Sequence, residues 1–171
     1  MSVIETEPPA ISLLGGDRIE TATFRDSYRA PLSIPDRDII ALFAAVFGHK
    51  PMGVKLGLVA RNLVARLFGL DVPTIAQVMD GNIQGPYAVG DLIGPWPICA
   101  LNSDEMVAGR DNSHMDFRLS VLRSSDGTSV QVTTICHAHN AAGRLYMRVI
   151  EPFHRAGVRL LMSNAVAAGR L

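Results

Sequence analysis

The longest periodic pattern in the chain lies near its C-terminus, where apolar residues recur at three- and four-residue spacings between Ala138 and Ala168. This spacing predicts one long amphipathic helix with Asn140 as its N-cap and a bend at Pro152. A helix of this length needs a large concave surface to cover its apolar face, and the preceding strands must supply it. The predicted apolar stripe consists of Ala142, Leu145, Tyr146, Val149, Ile150, Phe153, Val158, Leu160 and Leu161.

Two segments before this helix alternate between apolar and polar residues, which predicts two strands of a half-buried antiparallel sheet. The first runs from His114 to Val121, the second from Ser129 to His139, and the turn at 124–127 joins them as a hairpin. We expect one face to be buried and the other to be wet. The wet stripe on the first strand would be His114, Asp116, Arg118 and Ser120.

Upstream, the pattern predicts one strand and two helices, followed by a proline-rich edge strand and its partner. In chain order these are a strand at 21–32, a helix that begins at Ser33 or Asp36 and stops at Gly48 and Pro51, a helix at 54–68 closed by Gly69, a connection at 71–91 with a helical turn at 75–79, an edge or bulged strand at 92–102, and its partner at 105–109.

Composition supports one folded domain. The chain has 171 residues, of which 48% are hydrophobic and 19% charged, enough to build a single sizeable core. Residues 1–17, with two prolines and a Gly15-Gly16 pair, are expected to be a loosely ordered lead-in or an arm over the surface. Residues 18–171 form the predicted domain.

Charge and cysteine content exclude several partners. A formal net charge of +0 argues against a nucleic-acid or anionic-membrane footprint. The chain shows no secretory signal and no apolar run long enough for a membrane helix, so we expect a cytoplasmic protein. Cys99 and Cys136 are expected to be free buried thiols rather than a disulfide.

The order of elements, which is α+β, resembles the helix-grip fold of the START-like (SRPBCC) superfamily, which contains birch-pollen allergens, lipid-transfer domains and polyketide cyclases. The resemblance implies a curved antiparallel sheet wrapped around a long C-terminal helix, with two shorter helices after the first strand. A flat helix face does not fill a concave sheet completely, so a ligand cavity is expected between them.

A second resemblance rests on short stretches of the chain: Arg61 to Val64, Phe68 to Leu70, Glu105 to Gly109, His114 to Ser120, His139 to Tyr146 and Ile150 to His154. The last two contain the signatures HN-x-x-GR-x-Y and I-x-PFH. On these stretches the chain is similar, over roughly residues 20–168, to a bacterial family of unknown function, whose domain occurs alone or behind a short-chain-dehydrogenase-like domain. The two signatures are fairly specific for that family but carry no chemistry. The chain lacks the glycine-rich dinucleotide loop, so no cofactor is implied.

Three hypotheses for function follow. The first is a binding module that holds a small apolar or aromatic molecule between the sheet and the long helix. The second is an enzyme of the cyclase or hydratase type, in which His139, Tyr146 or Arg61 polarises a carbonyl or moves a proton. The third is a surface partner of a dehydrogenase, or a homodimer, that uses the wet stripe. The predicted ligand-binding residues are Trp96, Phe117, Leu119, Val132, His139, Tyr146 and Arg61.

Metal binding and nucleophilic catalysis are weaker hypotheses. His137 and His139 point the same way on their strand, and across the hairpin they could be joined by His114, Asp116 and Asp111. These are the right ligand types for zinc or iron, but the alternation places them on the outer face, away from any cavity. Cys136 is on the apolar face, and no G-x-S-x-G elbow is present. His154, at the border of the helix stripe, is expected to be a half-buried, hydrogen-bonded histidine. We therefore predict no metal site.

Overall fold

The computed structural model describes residues 2–35, 37–67, 74–75, 83 and 85–171. Within that part of the chain, seven strands and four helices of five or more residues are present. They are β1 (Ile4–Glu5), α1 (Gly16–Glu20), β2 (Phe24–Pro31), α2 (Ile39–Phe47), α3 (Met52–Leu67), β3 (Leu92–Ile93), β4 (Trp96–Leu101), β5 (Glu105–Asp111), β6 (Met115–Arg123), β7 (Ser129–Ala138) and α4 (Ala141–Ala167).

The strands form one curved antiparallel sheet in the order β1-β2-β7-β6-β5-β4-β3, and α4 packs in its concave face. The predicted α+β helix-grip arrangement is confirmed. The predicted hairpin is also confirmed, with Phe117 opposite Cys136 and Leu119 opposite Thr134. The proline-containing edge carries a register shift between Ile98 and Ala100, as expected for a bulged strand.

The starts of the two shorter helices differ from the prediction. Helix α2 begins at Ile39, not at Ser33 or Asp36, because the Asp38 side chain accepts hydrogen bonds from the amides of Ile40 (2.8 Å) and Ala41 (3.3 Å) and so caps the first turn. Helix α3 begins two residues earlier than predicted. Its predicted end at Gly69, and all but the first residue of the helical turn predicted at 75–79, lie outside the described residues.

Helix α4 begins where predicted, since the Asn140 side chain accepts a hydrogen bond from the Gly143 amide at 3.0 Å. It runs through Pro152 as one helix. The predicted stripe is partly wrong, because it merges two faces. The buried side chains include Tyr146, Met147, Val158, Leu161, Met162 and Ala165, whereas Leu145, Val149, Phe153 and Leu160 are exposed.

The outer face of the sheet is wet only in part, which corrects a second expectation. Ser120 is completely buried and Arg118 is 9% exposed. The N-terminal segment covers this face, where Leu14 and Ile19 pack with β5 and β7 to form a small second core. Glu105, 2% exposed, joins the segment to the sheet.

In the described part of the chain, no single helix has the length and apolar composition to cross a membrane. Helices α2 and α3 meet those criteria only as a pair, with an 87° bend between them.

Candidate ligand cavity

A cavity of about 190 Å³ lies between the inner face of the sheet and helices α3 and α4. Most of its wall is apolar. The Trp96 and Phe117 rings form an aromatic pair in that wall, with centroids 5.7 Å apart and planes tilted by 43°. Leu119 extends the wall along β6, and α4 closes it with residues that include Val158 and Leu161. An apolar concave surface with a few polar groups is the usual form of a small-molecule site.

Five of the seven predicted ligand-binding residues line this cavity: Trp96, Phe117, Leu119, Tyr146 and Arg61. The structure does not bring the other two there. Val132 lies opposite Tyr28 in the main core and is completely buried. His139 lies just beyond the end of β7, where its Nε2 is 2.9 Å from Asp116 Oδ1 in an exposed pair.

Arg61 and Tyr146 form one polar corner of the cavity. The Arg61 guanidinium lies 5.8 Å from the centre of the Tyr146 ring, and its Nη1 donates to Asn62 Oδ1 at 3.0 Å. Burial raises the pKa of Tyr146, and the positive charge of Arg61 partly opposes that shift. The phenol is therefore neutral near pH 7, and the fixed charge in this corner is that of the guanidinium.

The two cysteines differ. Cys136 lines the cavity and is buried as predicted; burial, reinforced by the nearby charge of Asp26, raises its pKa to about 12. It stays a thiol near neutral pH and is no nucleophile. Cys99 is exposed, so the expectation of a buried thiol is wrong there. It lies at the register shift of β4, next to the sheet edge.

His154 and Asp26 form a second polar group. His154 lines the cavity from α4, and its Nε2 lies 3.1 Å from Thr134 Oγ1 and 3.5 Å from Asp26 Oδ2. Asp26 is 4% exposed, and its two carboxyl oxygens accept no hydrogen bond from the described residues. The edge of the Phe24 ring faces the imidazole at 5.5 Å. Asp26, His154 and Thr134 thus form a small polar group at a mostly apolar wall.

The sequence held a signal for Asp26 that was missed. Along β2, Phe24, Tyr28 and Ala30 point into the core, and Asp26 shares their parity. An acid on the inward face of a strand calls for a partner, since burying an unpaired charge is costly. The interpretation of His154 as half-buried and hydrogen-bonded is confirmed, but it missed the partner.

The charged residues of the cavity wall have one sign. Lys50, Arg61 and Arg110 all line it, and among the described lining residues no carboxylate is present. For a chain with a formal net charge of +0, this is an uneven distribution.

The histidines and acids at the outer strand ends are divided among separate contacts. His137 Nε2 lies 3.4 Å from Thr21 Oγ1, whereas His139 is paired with Asp116. Over the described ranges, no three side chains of histidine, cysteine or acid type are placed to share a metal ion.

Comparison with known proteins provides a family but no activity. No curated protein and no solved structure matches the chain. A family model described as "Protein of unknown function (DUF2867)" matches residues 18–161, most of the chain and nearly all of the elements that build the cavity. The chain therefore belongs to this family of proteins of unknown function.

Proposed function

We propose that this protein binds a small apolar or aromatic molecule in the cavity between the sheet and α4. The observation that carries the proposal is the apolar cavity of about 190 Å³ with the Trp96–Phe117 pair in its wall. Aromatic side chains provide large contact area and offset stacking for a planar ligand. The volume is below the roughly 300–1,000 Å³ of sites for drug-sized molecules, so the ligand is smaller than those.

The cationic part of the wall supports a ligand with one electron-rich end. Arg61 is held by Asn62 and by the Tyr146 ring, which keeps its charge at the cavity. A carbonyl or carboxylate group would accept hydrogen bonds there, while the ring of the ligand contacts Trp96 and Phe117. The same proposal includes membership of the START-like superfamily. It also includes a cytoplasmic location, which the two free cysteines support.

The surface-partner hypothesis is less well supported, because Arg118 and Ser120 of the predicted docking stripe are buried and only His114 and Asp116 stay partly accessible. The enzyme hypothesis keeps a specific observation, the Asp26–His154 pair, which the next subsection develops.

Intrinsic fluorescence tests binding directly, because Trp96 is the only tryptophan of the chain. We expect indane and 2-indanone, two small aromatic probes that differ by one carbonyl oxygen, to change the emission saturably, with 2-indanone binding more tightly. Leu119→Phe, which fills the cavity, should weaken both at least tenfold. Leu160→Phe, the same change at an exposed position of α4, should leave binding unchanged. Emission that stays constant with both probes would overturn the proposal.

A further inference from the structure

The Asp26–His154 pair has a geometry that favours one tautomer of the imidazole. Nε2 is directed at two oxygens, Thr134 Oγ1 at 3.1 Å and Asp26 Oδ2 at 3.5 Å. The negative charge of the carboxylate lies nearest to Nε2 and favours the proton on this nitrogen, which leaves a lone pair on Nδ1. The contact with Thr134 is the only hydrogen bond of His154 within the described part of the chain. Nδ1 therefore has no hydrogen-bond partner among the described residues, and the His154 side chain belongs to the cavity wall.

The surroundings of Asp26 keep this arrangement in place. The carboxyl is buried under α4, and its charge interacts with Arg155 on the same helix and with Tyr28 on its own strand. Burial and the charge of Asp26 raise the pKa of Tyr28, which stays a neutral phenol. The carboxyl thus has the imidazole as its nearest ionic partner, and its charge also reaches the Cys136 thiol in the cavity wall.

The other half of the site is Arg61. It lines the same cavity as His154 but comes from α3, so the cavity wall carries the imidazole and the guanidinium on two different helices. A lone pair that removes a proton and a cation that stabilises the resulting negative charge are the two parts that proton abstraction next to a carbonyl requires.

We infer that the cavity is a catalytic site for proton transfer on a small apolar ketone or similar carbonyl compound, with His154 as general base, Asp26 as its positioning residue and Arg61 as the group that stabilises the enolate. This inference rests on the proposed function, since it requires the cavity to admit a ligand. The C–H bond next to the carbonyl breaks and the proton goes to Nδ1. The electron pair forms a C=C bond, and the negative charge moves to the carbonyl oxygen. Return of the proton to carbon restores the imidazole without any oxidant or reductant.

Exchange of the α-protons of 2-indanone in D₂O, followed by proton NMR, tests the chemistry. We expect exchange well above the buffer rate, a fall to near that rate in His154→Gln, and a loss of at least tenfold in Asp26→Asn. His139→Gln is the matched control, because His139 also pairs with an aspartate but lies outside the cavity. It should exchange the probe at the unchanged rate.

A second measurement needs no variant and so does not depend on folding of Asp26→Asn. ¹⁵N NMR of the unmodified protein should show the His154 proton on Nε2 and a bare Nδ1; a proton on Nδ1 would overturn the inference. Asp26→Asn should change the tautomer ratio, which a purely structural role of Asp26 would not require.

The outcomes separate the two proposals. If 2-indanone changes Trp96 emission but its exchange stays at the buffer rate, or if His154→Gln keeps the full rate, the cavity binds without catalysis and only this inference fails. If indane changes the emission but 2-indanone neither binds nor exchanges, only this inference fails. If neither probe changes the emission, the proposed function fails and this inference fails with it.

Discussion

The carboxylate of Glu105 holds the N-terminal segment on the outer face of the sheet, and its removal should cost much of the stability of the fold. Oε1 accepts hydrogen bonds from Ser12 Oγ at 2.6 Å and Ser120 Oγ at 2.5 Å, and Oε2 accepts one from the Leu13 amide at 2.7 Å. Glu105→Ala leaves these donors without their acceptor. Hydrogen bonds to a charged group contribute about 1.5–3 kcal/mol each, and they are not additive. We expect a loss of about 3–5 kcal/mol, against a typical total of about 5–15 kcal/mol.

The isosteric variant Glu105→Gln should behave differently. Its carbonyl oxygen can take the position of Oε2 and accept from Leu13, while its amide donates to the hydroxyls of Ser12 and Ser120, which can turn to accept. All partners keep a hydrogen bond and only the charge is lost, so we expect a cost of about 1 kcal/mol.

Urea denaturation followed by circular dichroism measures both variants, and hydrogen exchange of the Leu13 amide reports whether the segment stays bound. Glu151→Ala is the control, because Glu151 makes an accessible pair with Arg155 on α4, and it should cost under about 0.5 kcal/mol. A Glu105→Ala variant within 1 kcal/mol of the unmodified protein, with Leu13 still protected, would refute this account of the outer face.

Three further predictions follow from the packing and the charges. A Cβ at Gly143 would lie 2.3 Å from a backbone carbonyl oxygen, whereas one at Gly157 meets nothing within 4 Å. Thermal unfolding should therefore show lower stability for Gly143→Ala and a gain in stability of up to about 1 kcal/mol for Gly157→Ala. Equal effects of the two substitutions would contradict the packing of α4. At pH 8, iodoacetamide should modify exposed Cys99 but not buried Cys136, whose pKa is raised to about 12. Mass spectrometry of the peptides checks this, and labelling of both cysteines would contradict the burial of Cys136. The hydrogen bond from Arg118 holds the pKa of Asp111 below 3.8, so the Asp111–Arg118 pair stabilises the fold above that pH and loses its effect as the pH falls through the pKa of the folded state. Asp111→Asn should therefore be less stable than the unmodified protein by under about 1 kcal/mol at pH 7, and this difference should disappear in acid.

The fold was predictable because its two strongest signals are periodic. Alternation between 114 and 139 defines the β6–β7 hairpin, and the helical period behind Asn140 defines α4. The orientation of α4 was less predictable, since Leu145 and Val149 have the right spacing but lie on the exposed side. A period shows that one face is apolar, but it does not determine which residues a curved sheet reaches.

The buried outer face could not be predicted from local pattern. Polar residues such as Ser120 look solvated until a distant segment supplies partners, and Ser12 and Leu13 are more than 90 residues away from Glu105. In the cavity wall, strand parity identified Phe117 and Leu119, but it also selected Val132, which lies in the main core. Asp26 was missed because its partner His154 lies on the last helix, and only the fold brings the two together.

Native mass spectrometry of the protein purified from its own cells, compared with denaturing conditions, tests the central claim that the cavity holds a small molecule. The account predicts an additional mass that is lost on denaturation, that belongs to a small apolar or aromatic compound, and that is absent from Leu119→Phe but present in Leu160→Phe. A bare chain from unmodified protein under gentle conditions, which also fails to take up 2-indanone, would contradict it.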